Sequence, residues 1–337
     1  MKTFAHIVGT RPNFIKAMPV YSEMTKAGWL NYIIHTGQHY DELMSDVFFK
    51  DLHLPKPDYF LDSTALPDMI EKIGDVLSNH LYDGVVIYGD VHSSLAGCIA
   101  AMNLDIPVIH VESGLRSRDK SMPEERNRII IDHMAKYRFC TENIGIENLV
   151  SEGLTCGNYM VGNTAIDSLK LFNPVRNEFA KFVLVTLHRP FNVDDPKKLS
   201  MILRRLDNLK IPVVFPVHPR TKANLDIIKY SNIKFINPLG YKDFLQMMKN
   251  CHYMISDSGG VQCDAAAMNV PLFTLRPSTE HQKTLDLNMN KLISINDINI
   301  ESINTWIEQK WNNTISPVIE WDGYAAHRLV NKLKELL

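Results

Sequence analysis

The chain has 337 residues, with 36 Lys and Arg against 38 Asp and Glu, five cysteines and 45% hydrophobic residues, an ordinary globular composition that leaves room for roughly two domains. A net charge of -2 excludes a global basic field for nucleic-acid phosphates or an anionic membrane, so any anion has to be met by local groups and a small-molecule partner is expected. No apolar run approaches the ~20 residues that span a bilayer, and Gly9, Arg11 and Pro12 interrupt the N-terminus before a signal h-region forms, so a cytoplasmic location is expected.

In chain order, short apolar runs rich in β-branched and aromatic residues predict strands at Phe4–Val8, Tyr32–His35, Gly84–Tyr88, Val108–Val111 and Tyr137–Cys140. Their near-continuous hydrophobicity, as in Val85-Val86-Ile87-Tyr88, fits parallel strands covered by helices on both faces. After a polar stretch near Leu169–Lys181 the pattern restarts with Phe182–Thr186, Val213–Pro216, Lys234–Ile236, Tyr253–Ser256 and Leu272–Leu275. The alternation predicts an α/β chain of two doubly wound domains facing a cleft, residues 1–168 and 169–322. Apolar residues at Ala325, Leu329, Val330, Leu333 and Leu337 predict a closing amphipathic helix over 323–337, expected to pack back on the first domain.

Ligands of such sheets sit at the carboxyl ends of the strands, so motifs at those points carry the functional signal. The chain has no G-x-G-x-x-G after its first strand, no G-x-x-x-x-G-K-[ST] and no H-E-x-x-H, which removes the main support for oxidoreductase, Walker-type ATPase and zinc-peptidase readings. Gly89-Asp90-Val91-His92 matches metallophosphatase loops only in part, and no metal or cofactor is expected. Cys98, Cys140, Cys156, Cys251 and Cys263 are odd in number without a C-x-x-C pair, and read as reduced, mostly buried small hydrophobes.

The first strand runs into Gly9-Thr10-Arg11-Pro12-Asn13-Phe14-Ile15-Lys16. Arg11 and Lys16 bring positive charge to a helix N-terminus, and the loop reads equally as an anion pocket or as an ordinary βα turn with solvated charges. Asp257-Ser258-Gly259-Gly260 follows a strand of the second half, and without β-carbons at Gly259 and Gly260 the backbone N–H groups can approach a diphosphate closely. Asp90, Glu112 and Glu124 lie after strands three and four beside Arg116, an arrangement suited to general acid/base work; Glu125 reads better as a surface ion pair. His188 and His218 each follow a strand of the second half, which points to binding or proton transfer.

The ordered series GTRPNFIKA (9–17), TGQHYDELMSDVFF (36–49), YGD (88–90), HVESGLRS (110–117), MPEERNR (122–128), VGNTAID (161–167), TLHRP (186–190), PVHPRT (216–221), NPLGY (237–241) and SDSGGVQ (256–262) resembles the non-hydrolysing UDP-N-acetylglucosamine 2-epimerase family. The resemblance implies two Rossmann-like domains in a GT-B-type arrangement, a UDP-sugar partner, inversion at C2 of the sugar without a nicotinamide, and a homodimer. It further implies that Asp90, Glu112, Glu124 and His188 serve catalysis and that Phe244 lies near the uracil. Asp264 would hold the ribose, and Arg11, Ser258, Gly259 and Gly260 the diphosphate.

The chain also departs from the family pattern. Many relatives carry Glu at the position of Asn13, Glu-Glu at Cys263-Asp264, Arg at His281 and Glu at Phe191, changes that bear on the nucleotide more than on the reaction. A second, activating UDP-GlcNAc site of some members involves the segment matching Gln38-His39, but Tyr40-Asp41 replaces their Arg-Glu and the site is not carried over. The leading expectation is interconversion of UDP-GlcNAc and UDP-ManNAc for envelope polysaccharide. Alternatives are a 2-epimerase of a modified UDP-sugar, a GT-B glycosyltransferase, a silent UDP-sugar-binding protein, and a hydrolysing relative. Against the last stands Pro12-Asn13-Phe14-Ile15, where such enzymes carry Ala-Asp-Tyr-Gly.

Overall fold

The structure, a computed structural model, describes residues 1–37, 54–176, 181–225, 230–311 and 320–337. Gln38-His39 and Tyr40-Asp41 lie outside the described residues. The chain divides into two units, Met1–Phe172 with Val318–Leu337, and Asn173–Pro317. Among the described residues no helix is long and apolar enough to cross a membrane.

The first unit is built on strands β1 (Thr3–Val8), β2 (Leu30–His35), β3 (Tyr59–Phe60), β4 (Gly84–Tyr88), β5 (Val108–Ser113), β6 (Tyr137–Cys140) and β7 (Asn158–Met160). They form one sheet in the order β3-β2-β1-β4-β5-β6-β7, with parallel pairings such as Phe4↔Gly84 and Ile7↔Ile87. The second unit contains β8 (Val183–Thr186), β9 (Val213–Pro216), β10 (Ile233–Ile236), β11 (Tyr253–Ser256), β12 (Leu272–Thr274) and β13 (Asn290–Leu292), ordered β10-β9-β8-β11-β12-β13. Both units are therefore doubly wound α/β folds of Rossmann strand order.

The central strands are buried on both faces, which explains their unbroken hydrophobic runs: Val85, Val86, Ile87 and Tyr88 are all fully buried. The three strands not expected from the sequence, β3, β7 and β13, are three of the four edge strands and are two or three residues long. An edge strand has one neighbour and less surface to bury, and these three are too short to show an apolar run, whereas the fourth edge, β10, is four residues long and does.

Each sheet reverses its winding once, between β1 and β4 and between β8 and β11. At those switch points the helices leave on opposite faces, and the loops beyond the carboxyl ends open a crevice in each unit. Gly9–Asn13 and Gly89-Asp90 follow β1 and β4; Leu187–Arg189 and Asp257–Gly260 follow β8 and β11.

The C-terminal helix Ala325–Leu336 returns to the first unit and packs on the helices Arg11–Lys26 and Thr164–Phe172. It buries Leu329, Val330 and Leu333, each contributing about 2 kcal/mol by transfer from water. The Asp167 carboxylate accepts from the first N–H groups of that helix, Ala325 N at 3.1 Å and Ala326 N at 2.7 Å. Burial pushes the Asp167 carboxyl up to about 6 despite those bonds.

Candidate active site

At the switch point of the first unit, the turn after β4 depends on Gly89. Its φ is +62, and a Cβ there would lie 3.0 Å from Lys16 Nζ and 3.1 Å from Glu112 Oε2. Lys16, on the helix Arg11–Lys26, makes an ion pair with Glu112; the two side chains are only 14% and 12% exposed. Glu112 does not lie beyond its strand as its sequence position suggested. It sits within β5, at a break in register between Val111 and Ser113, with a left-handed φ of 74. Such a bulge re-aims one side chain, here toward Lys16 and Gly89, at a backbone cost of about 1–2 kcal/mol.

Asp90 is held by the Arg128 guanidinium, with Nε 2.9 Å from Oδ2 and Nη2 on the same oxygen. The Asn127 amide donates to the Asp90 carbonyl at 2.8 Å. The third arm of Arg128 reaches Glu125 at 3.0 Å. Glu125 is therefore not a surface ion pair. Its buried carboxylate accepts from Ser117 N at 2.9 Å and Arg118 N at 2.7 Å, closing the loop between β5 and the helix Pro123–Met134. Glu124, half-buried in the first turn of that helix, is its neighbour in sequence but turns to a different face.

Arg116 also differs from its expected place as a rim cation. Its guanidinium, 3% exposed, donates to Glu152 at 2.8 and 2.6 Å, to Asp132 at 2.7 Å and to the Leu115 carbonyl at 2.7 Å. Four of its five donors are thus committed inside the first unit, which makes it a bracket between β5 and the helix Asn143–Ser151. Asp132 completes the bracket by pairing with His110 at 2.7 Å, and the other His110 nitrogen faces the Gly89 carbonyl at 3.0 Å. Burial pushes the Asp132 carboxyl up, but His110 and Arg116 outweigh it and hold it below the usual carboxylate range.

The second unit organises its switch point around Asp257, which is fully buried. It accepts from the backbone of His188 and Arg189, both at 3.0 Å, and from Asn192 at 3.1 Å, and lies 3.3 Å from His188 Nδ1. The His188 ring is 34% exposed and 5.5 Å, centroid to centroid, from that of the exposed His218. Desolvation lowers the His188 pKa against the attraction of Asp257, and Arg189, Arg276 and Arg220 add to the lowering, so the neutral ring is favoured.

Ser258 and Gly259 lead into the helix Gly260–Ala267. The two glycines are not equivalent. A Cβ on Gly259 would meet the Glu280 carboxylate at 2.4 Å, whereas one on Gly260 would meet nothing within 4 Å. Gly259 makes room for the buried Arg276–Glu280 pair, 2.8 Å apart, and Gly260 faces open space. His281 is buried against Cys263, with Nδ1 3.3 Å from Sγ, and lies 3.9 Å from Glu280. Asp264 is buried with the Tyr241 hydroxyl against it; burial, then this carboxylate, pushes the Tyr241 pKa up. Phe244, half-buried, stands three residues beyond Tyr241 on the same helix, Tyr241–Asn250.

Sequence reasoning passed over Asp257, Arg128 and the Arg276–Glu280 pair. The local signal for two of them was present: Glu125 and Arg128 are three apart and Arg276 and Glu280 four apart, the spacings that bring side chains together on a helix or a tight turn. Among the described residues no group of three or more His, Cys, Asp or Glu side chains gathers as a metal site.

The family model for UDP-N-acetylglucosamine 2-epimerase matches residues 23–334, nearly the whole chain. The chain belongs to the UDP-N-acetylglucosamine 2-epimerase family. It is similar to the UDP-N-acetylglucosamine 2-epimerase of Methanococcus maripaludis, at 37% identity over 96% of each chain. It is almost equally similar to the UDP-2,3-diacetamido-2,3-dideoxy-D-glucuronate 2-epimerase of Pseudomonas aeruginosa, at 36% identity over 98% of each. The crystal structure of the Methanocaldococcus jannaschii 2-epimerase in complex with UDP-GlcNAc and UDP matches with a TM-score of 0.87 and 34% identity, over 99% of each chain. The chain is thus an enzyme of an isomerase family acting on nucleotide sugars.

Proposed function

We propose that this epimerase interconverts UDP-GlcNAc and UDP-ManNAc by anti elimination of UDP and its re-addition, in supply of an envelope polysaccharide. The observation that carries the reading is the pair of cation-held carboxylates at one turn, Glu112 on Lys16 and Asp90 on Arg128, on either side of Gly89. A C2 proton beside an acetamido group is barely acidic, so direct inversion through a free carbanion is hard. If the C1–O bond breaks as the proton leaves, the electron pair of C2–H becomes the C1–C2 double bond of a 2-acetamidoglucal, and UDP departs with the C1–O pair. Return of a proton to the opposite face of C2, with UDP re-adding at C1, completes the inversion.

Asp90, Glu112 and Glu124 are assigned to proton removal and return, for which a fixed, ionised carboxylate is the required form of the base. Arg11, Ser258 and the N–H groups at Gly259 and Gly260 are assigned to the diphosphate, whose charge grows as it leaves. His188, favoured neutral, would donate its ring N–H to the departing phosphate without adding a permanent charge. Phe244 and Asp264 are assigned to uracil and ribose, and His218 and His281 to the periphery of the nucleotide. Lys16 acts here through Glu112, and Arg116 as a bracket rather than a substrate contact.

A second reading, 2-epimerisation of a 2,3-diacetamido uronic acid, is favoured by the 36% identity to the Pseudomonas aeruginosa enzyme. NMR of the full chain incubated with each UDP-sugar separates the two. UDP-GlcNAc is expected to yield UDP-ManNAc without accumulation of free UDP. Turnover of the diacetamido uronate alone would transfer the reading to that substrate, and stoichiometric UDP with free ManNAc would replace it with hydrolysis.

A further inference from the structure

Asn13 lies between the Arg11 loop and the Asp90 turn, and none of the roles above uses it. It is buried, and its amide is bonded at both ends. Oδ1 accepts from Gly9 N at 3.2 Å, Thr10 N at 3.1 Å and Thr10 Oγ1 at 3.0 Å. Nδ2 donates to the Tyr88 carbonyl at 2.7 Å. The first three bonds close the loop after β1 and start the helix on which Arg11 is the first residue. The fourth fastens that loop to the last residue of β4, two residues before Asp90.

The chemistry of the position is specific. The three donors need an acceptor, and the Tyr88 carbonyl takes a donor here beside Ser94; the Asn13 amide supplies both. A carboxylate would keep the first set and turn a lone pair toward the carbonyl, and an apolar side chain would keep neither. The Tyr88 carbonyl also accepts from Ser94 Oγ at 2.7 Å, so removing Asn13 leaves one bond on that oxygen and frees the loop without orphaning β4.

We propose that Asn13 is a positioning residue for the epimerisation, locking the Arg11 loop to the Asp90 turn so that the diphosphate contact and the proton-transferring carboxylate stay in fixed register. Its amide is committed to Gly9, Thr10 and Tyr88, so the role proposed is positioning rather than substrate contact. The inference rests on the proposed roles of Arg11 and Asp90. Because C2–H cleavage and departure of the diphosphate belong to one step, loss of register penalises the transition state more than the bound ground state.

The test compares wild type, Asn13→Ala, Asn13→Asp and Asp90→Asn as full chains, by steady-state epimerisation of UDP-GlcNAc with melting followed by circular dichroism. Asn13→Asp, which keeps the shape and the acceptor, is expected to lower kcat about tenfold or more with KM moving less than about threefold and the melting temperature within a few degrees. Asn13→Ala is expected to lower kcat further. Unchanged kcat in either folded variant overturns the proposal, as does a rise in KM alone or a loss that only tracks the folded fraction. If Asp90→Asn turns over like wild type, the reading of the site fails; if it is dead while both Asn13 variants are normal, only the proposal about Asn13 fails.

Discussion

The two switch points are built from the same topology and opposite chemistry. In the first unit four carboxylates near the turn are answered by side-chain cations: Glu112 by Lys16, Asp90 and Glu125 by Arg128, Asp132 by Arg116 and His110. In the second, the buried Asp257 is answered mostly by backbone N–H groups and an amide, and the helix Gly260–Ala267 begins on a glycine facing open space. The first arrangement fixes carboxylates in place, which suits proton transfer; the second leaves a helix N-terminus able to receive an anion. One strand order thus carries two different sets of groups, because the loops and not the sheet hold them.

The largest expected effect breaks the first side of this contrast. Asp90→Asn and Glu112→Gln each keep shape and remove charge, and kcat should fall by about 10³-fold while UDP affinity, measured by calorimetry, changes little. A fall in affinity without loss of kcat would move both residues to the binding side. Next, Gly89→Ala forces a side chain into φ +62 and against the Lys16–Glu112 pair, so kcat should drop about 10²-fold and stability by about 1–2 kcal/mol. Activity equal to wild type would show that the pair need not sit at that turn.

The glycines of the second unit sharpen its side. Gly260→Ala should fold normally and, if the diphosphate lies there as proposed, bind UDP about tenfold more weakly, because the added methyl enters open space at the helix start. Gly259→Ala should instead lose about 1–3 kcal/mol of stability, since the methyl lies on the Glu280 carboxylate that Arg276 holds. Equal effects of the two changes on folding and binding would erase the distinction between them.

A further effect, on the whole fold rather than on either switch point, concerns acid. Burial pushes His6 and His35, both in the first sheet, down to about 4. Their neutral forms stabilise the fold fully above the unfolded value of about 6.5, and this is lost as pH falls toward 4. Asp167, pushed up to about 6, has the opposite sign and returns part of the loss. Urea unfolding should therefore show a net decrease of about 2–3 kcal/mol between pH 7 and pH 5. No decrease would mean that the rings are not buried in neutral form.

The strand runs and the strand-end motifs were legible because a doubly covered parallel sheet writes its core as continuous apolar segments and its ligand loops as their ends. Not legible were contacts across the sheet. Lys16 and Glu112 are 96 residues apart and Arg128 and Asp90 38 apart, so nothing local announces their pairing. The same limit misplaced Glu125 and Arg116, whose charge suggested the surface while their partners keep them buried. The bulge at Glu112 was equally hidden, since its left-handed backbone is imposed by β6 and the following turn rather than by a glycine in its place.

Carboxylates of the first unit are proposed to move the C2 proton of UDP-GlcNAc. This role is tested most directly by NMR of that substrate in D2O with wild type, Asp90→Asn and Glu112→Gln. Deuterium is expected at C2 of both UDP-GlcNAc and UDP-ManNAc with wild type, and exchange slowed by about 10³-fold in the two variants. Inversion without deuterium entry, or exchange at the wild-type rate in both variants, would contradict it.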